Sequence, residues 1–202
     1  SLKYLDTSNV KSLESMFENC SSLVDLSPLS GWDTSNVISM FNMFNRCNNL
    51  IAVPNLDTSK VTQMIGMFSG CNKLTNIPNF DLSSAINMMN TFGVCSNLTS
   101  IPNFNLVNVT DMSGTFRSCS NLTSIPELSL PKVERMDGTF DQCRNLTTIP
   151  NLNTPNLKIM SNTFTYCYSL VNAPNFNTTQ VNTMRYLFCY CTNLSSVLLG
   201  DN

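Results

Sequence analysis

Apolar residues return along this chain on a fixed beat. A Phe stands three residues before a Cys and a Leu three residues after it, and the triplet recurs eight times. The cysteines of the beat are Cys20, Cys47, Cys71, Cys95, Cys119, Cys143, Cys167 and Cys191, spaced by 24 residues at every step except the first, which is 27. Within one unit Val109, Met112, Phe116 and Cys119 are spaced 3, 4 and 3, which predicts one face of a helix of about two to three turns. Val61, Met64, Phe68, Cys71 and Val133, Met136, Phe140, Cys143 repeat the set. Polar tetrads precede it, such as Asp33 Thr34 Ser35 Asn36 and Asp57 Thr58 Ser59 Lys60, and their side chains suit a helix start or a turn. After the Cys, pairs such as Ser120 and Asn121 predict a stop, because Asn tolerates the left-handed conformation. An extended run follows, as in Leu122 Thr123 Ser124 Ile125 Pro126, with Leu and Ile inward. Proline lacks an amide donor, so the parallel pairing should stop about there.

A period of this length marks a solenoid. Residues 1–202 are expected to form a single repeat domain of eight units. Strands on one side and helices on the other force curvature, because strands stack about 4.8 Å apart and helices nearer 10 Å. Two units depart from the beat. The first full one carries three extra residues within Ser27 Pro28 Leu29 Ser30 Gly31 Trp32, predicting a bulging loop with the single Trp at the edge, and the last has Leu198 in place of Pro. The chain opens within a unit at Ser1 and closes after Val197 Leu198 Leu199, which reads as a fragment of a longer chain.

Composition narrows the function classes. Charged residues make up 12%, about half the roughly 25% usual in soluble proteins, and Ser, Thr and Asn replace them. With 11 basic and 13 acidic residues and no basic run, binding to nucleic acid or an anionic membrane is not expected. No apolar stretch approaches the roughly 18 residues of a membrane span. The ladder cysteines share the inward phase of Phe and Leu and are expected to be free, buried thiols. Cys189, two residues before Cys191, is off the ladder and is the candidate for surface reactivity. Seven methionines (Met40, Met64, Met88, Met112, Met136, Met160, Met184) hold one core phase, so they are read as packing. A cation ladder on Asp6, Asp33, Asp57 and Asp81 is disfavoured because the acid becomes Asn105, Ser129, Asn153 and Asn177 in later units. There is no His, no glycine-rich phosphate loop and no nucleophile beside a base. No enzyme activity, metal or cofactor is expected.

Units such as Asp57 Thr58 Ser59 Lys60 Val61 Thr62 Gln63 Met64, with Met67 Phe68, Cys71, Leu74 and Ile77, resemble the BspA-type leucine-rich repeats. In particular they resemble the mycoplasmal and lactobacillal surface-protein variant that reads DTSNVxxMxxMFxxCxxL. The resemblance covers essentially the whole chain. It implies an α/β solenoid, a leucine-rich-repeat-like right-handed superhelix with short parallel strands on the concave side and short helices on the convex side. It also implies display on a bacterial, protist or phage surface, often as an adhesin, and it carries no catalytic residues.

The outward positions of the predicted strands are Asn76, Ser100, Ser124, Thr148, Asn172 and Ser196, flanked by Thr75, Thr99, Thr123 and Thr147. They form the candidate binding face for a protein or glycan. The alternative is a structural spacer or self-assembling element of a surface protein, fibre or phage appendage, whose ends would be covered by flanking repeats or another copy. Extracellular, cell-surface or virion-surface placement is expected in either case.

Overall fold

The computed structural model describes residues 4–197; Leu198 and Leu199 of the predicted last strand lie outside the described residues. Each 24-residue unit makes one coil, and the coils stack in register. The predicted helices do not form: among the described residues the one regular helical element is a 3-10 turn, Ser27–Leu29. The stretch between the Met phase and Cys is instead a run of overlapping turns.

The cause lies in two residues per coil. The second residue after the Met phase and the residue before Cys both take positive φ, as in Gly114 (φ 63) and Ser118 (φ 58). A right-handed helix needs φ near −60° throughout, so two such residues four apart exclude it. The amides then divide their work. Those of Thr115, Arg117 and Cys119 bond three residues back, to the carbonyls of Met112, Gly114 and Phe116. The amides between them reach the next coil: Met112 to Arg135, Gly114 to Asp137, Phe116 to Thr139 and Ser118 to Asp141, at 2.7–2.9 Å. A spacing of 3, 4 and 3 is thus shared by a helix face and by a flattened turn wall that points the same residues inward.

Strand pairing also lies elsewhere than predicted. A continuous parallel series of bridges runs Ser12, Ser39, Gln63, Asn87, Asp111, Arg135, Ile159, Thr183, just before the Met phase. On the predicted strand side only isolated bridges form, among them Ser124 with Thr148 and Asn172 with Ser196. The prolines there are consistent with this brevity. Without a helix layer, the reason for strong curvature goes. Phe rings of successive coils repeat at 5.5–5.7 Å, close to the strand spacing.

The core is one continuous stack. Ladders of Phe, Met, Cys and Leu, such as Phe92, Phe116, Phe140 and Met88, Met112, Met136, are buried from coil to coil. Phe80 and Phe104 close the far side by stacking on Phe68 and Phe92. The three extra residues of the long unit are absorbed by the 3-10 turn, and Trp32 is not at an edge: it is buried, with its ring 6.2 Å from that of Phe17. The polar tetrads close turns rather than cap helices. Asp57 accepts from the Ser59 amide and hydroxyl at 2.9 and 2.7 Å, and Asp6 does the same with Ser8, so these hydroxyl and amide bonds hold both carboxyls below the ordinary carboxylate range.

Candidate functional site

Five members of the predicted face, Asn76, Ser100, Ser124, Thr148 and Asn172, are exposed, and Ser196 is half-buried. The inward Leu and Ile beside them set that orientation: Leu98 and Leu122 are fully buried, Ile101 and Ile125 nearly so. Backbone pairing of Ser124 with Thr148, and of Asn172 with Ser196, brings neighbours in the row together. The Ser196 hydroxyl donates to Asn172 Oδ1 at 2.6 Å, and the Thr147 hydroxyl to the Thr123 carbonyl at 3.1 Å. The result is a flat strip of hydroxyls and amides with one member per coil.

The core offers no comparable chemistry. Each thiol from Cys47 to Cys191 in the ladder donates to a Phe carbonyl of the preceding coil, at 2.9–3.3 Å. Burial pushes Cys47 and Cys191 up to about 11 and Cys119 up to about 12, away from thiolate reactivity. Cys20 is exposed and Cys189 half-buried. A second ladder, Thr91, Thr115, Thr139 and Thr163, is buried at a position where Met43 and Met67 stand in earlier coils. Each of these hydroxyls bridges two Met carbonyls, one in its own coil and one in the coil before, as Thr115 does with Met112 and Met88 at 2.7 and 2.9 Å.

The turn wall carries charged residues that the sequence reading passed over. Arg117 Nε lies 3.0 Å from Asp141 Oδ2, and Arg135 reaches Asp137 at 2.9 Å and Asp111 at 3.6 Å. Asp141 is 8% exposed, and burial raises its carboxyl pKa, with Arg117 opposing. Arg117, Asp137 and Asp141 border a cavity of about 370 Å³ that Gly114 and Gly138 also line. The available signal was Arg117 and Asp141 one period apart, beside Gly114 and Gly138 one period apart. Among the described residues no three acidic or Cys side chains gather closely enough to hold a metal ion, and no helix is long and apolar enough to cross a membrane.

A search of curated proteins gives no match. Among solved structures, a leucine rich cell surface protein from Faecalibacterium prausnitzii A2-165 is similar in fold, with a TM-score of 0.50 at 18% identity over 96% of this chain and 70% of that one. A leucine-rich repeat protein from Bacteroides ovatus ATCC 8483 aligns over 93% of this chain and 76% of that one at 15% identity, and its TM-score of 0.25 carries no structural argument. The family described as Mycoplasma protein of unknown function, DUF285, matches over residues 1–102, 47–148 and 86–200, and the chain belongs to it.

Proposed function

We propose that this chain is a surface-displayed binding module of the BspA-type repeat kind that recognises a protein or glycan through the row Asn76, Ser100, Ser124, Thr148, Asn172 and Ser196. The supporting observation is the strip itself: short uncharged polar side chains at one-coil intervals on a wall backed by a stacked core. Side chains with few rotatable bonds lose little entropy on contact, and a repeating row can engage a repeating or extended partner many times over. The test replaces Ser100, Ser124 and Thr148 together by Arg. These positions are exposed, so stability should change by no more than about 0.5 kcal/mol each. Beads coated with the chain are expected to adhere to epithelial cells or to a matrix-protein and glycan array, and the triple variant to lose that adhesion. Adhesion unchanged in the variant, or no adhesion by the parent, sinks the reading.

A further inference from the structure

The groove over Gly138 exists because of a break in a pattern. The first of the two left-handed positions in each coil forms a row: Ser15, Asn42, Gly66, Asn90, Gly114, Gly138, Asn162 and Tyr186. Where Asn precedes Gly, its side chain folds over the glycine, so a Cβ added at Gly66 would collide with Asn42 Oδ1 and one at Gly114 with Asn90 Oδ1. Gly138 follows another glycine and so has no such cover. A Cβ there would meet nothing nearer than Asp141 Cβ at 3.7 Å. The uncovered space is the cavity of about 370 Å³, within the roughly 300–1,000 Å³ of small-ligand sites.

Polar side chains stand along its walls: Asn90, Ser113, Arg117, Asp137, Asp141 and Asn162. Asp141 Oδ1 and Ser113 Oγ are themselves enclosed by protein, so what Asp141 offers the groove is the rest of its carboxylate, beside Arg117. The charges narrow the occupant. Asp141 already faces Arg117, and Arg135 faces both Asp137 and Asp111. An ammonium group would meet Arg117, and a carboxylate or phosphate would meet Asp137 and Asp141. A neutral ligand rich in alternating donors and acceptors meets no like charge. Asn90 and Asn162 at the two ends of the groove add amides of both kinds.

We propose that this groove is a saccharide site, in which adjacent hydroxyls of one sugar ring donate to the Asp141 carboxylate and accept from the Arg117 guanidinium. It is separate from the Asn76–Ser196 row, and neither depends on the other. The probes are the methyl glycosides of glucose, galactose, mannose and N-acetylglucosamine, titrated into the ¹⁵N-labelled chain. At least one should move the amides of Gly114, Arg117 and Gly138 saturably. Gly138→Ser should weaken the effect at least about tenfold by placing a side chain in the groove, and it should fold, because Ser15 holds the same conformation ahead of Asn42 in this row. Arg117→Gln, at a side chain 55% exposed, should weaken binding about tenfold or more without disturbing the fold. The proposal is overturned if no glycoside saturates, if shifts fall only on the Asn76–Ser196 row, or if Gly138→Ser or Arg117→Gln binds as the parent does. Saturation of the groove by butylammonium or by a blocked Ser-Gly-Ser peptide, with the glycosides silent, overturns it as well.

Discussion

Backbone strain is distributed one residue at a time. Most left-handed positions carry Gly, Asn, Ser or another unbranched residue, but Val94 sits at φ 61 with a β-branched side chain 44% exposed. Such a residue costs about 1–2 kcal/mol there, part of which glycine's greater unfolded freedom would offset. Val94→Gly is therefore expected to raise stability by about 0.5–1 kcal/mol in urea unfolding; a loss of stability would mean that the strain lies elsewhere. The thiols make a second residue-scale prediction. Cys119 is pushed up from an ordinary value of 9.0 to about 12, so the folded chain keeps a proton that the unfolded chain releases above about pH 9. That contribution is complete below about pH 9 and is lost as pH climbs toward 12. Urea midpoints should fall between about pH 9 and about pH 12, and less steeply in a variant with Cys119 and Cys143 both changed to Ala. Equal slopes in the two proteins would count against the ladder as the cause.

At the scale of the element, the wall between Met112 and Cys119 shows what a periodic sequence discloses and what it withholds. Which residues face inward was legible: Val109, Met112, Phe116, Cys119 and Leu122 are all fully buried. The local backbone was not, because a helix face and a chain of turns bury the same 3, 4, 3 set. The distinguishing signs were weak. Gly66 with Gly70, and Gly114 with Ser118, repeat four apart inside the supposed helix, whereas the equivalent Arg46 and Tyr166 give no hint of positive φ. The exposed row was legible for the same reason as the core, since strand alternation opposite Leu and Ile fixes it. The groove was not, because it depends on which side chain covers which glycine across coils. The Thr ladder offers the sharpest test of the wall. Thr115→Val keeps the shape and removes the bonds to Met88 and Met112, and should cost about 1 kcal/mol. Thr115→Ser, which keeps both bonds, would lose its methyl packing instead, so similar costs for the two would show that packing dominates. Double substitutions in adjacent coils, Thr115→Val with Thr139→Val, should be non-additive, because both hydroxyls bond to the Met112 carbonyl.

For the molecule as a whole, each coil touches only its neighbours, so stability should be graded along the stack. Hydrogen exchange is expected to be slowest for the amides from Met88 to Cys143 and faster toward both ends, where Met16, Met184 and Tyr190 are already exposed. Uniform protection from Ser12 to Leu194 would instead indicate one all-or-none unit. The amides of the turn wall also share a direction. In every joint between described coils, four of them point toward the later coil, from Leu13, Ser15, Phe17 and Asn19 in the first to Met160, Asn162, Phe164 and Tyr166 in the last. Amides outside that wall run the other way, as Glu134 and Arg135 do to Thr110, Asn145 to Ser120 and Thr147 to Thr123. Donors and acceptors are therefore segregated on each face of a coil, and a coil fits its neighbour in one orientation only.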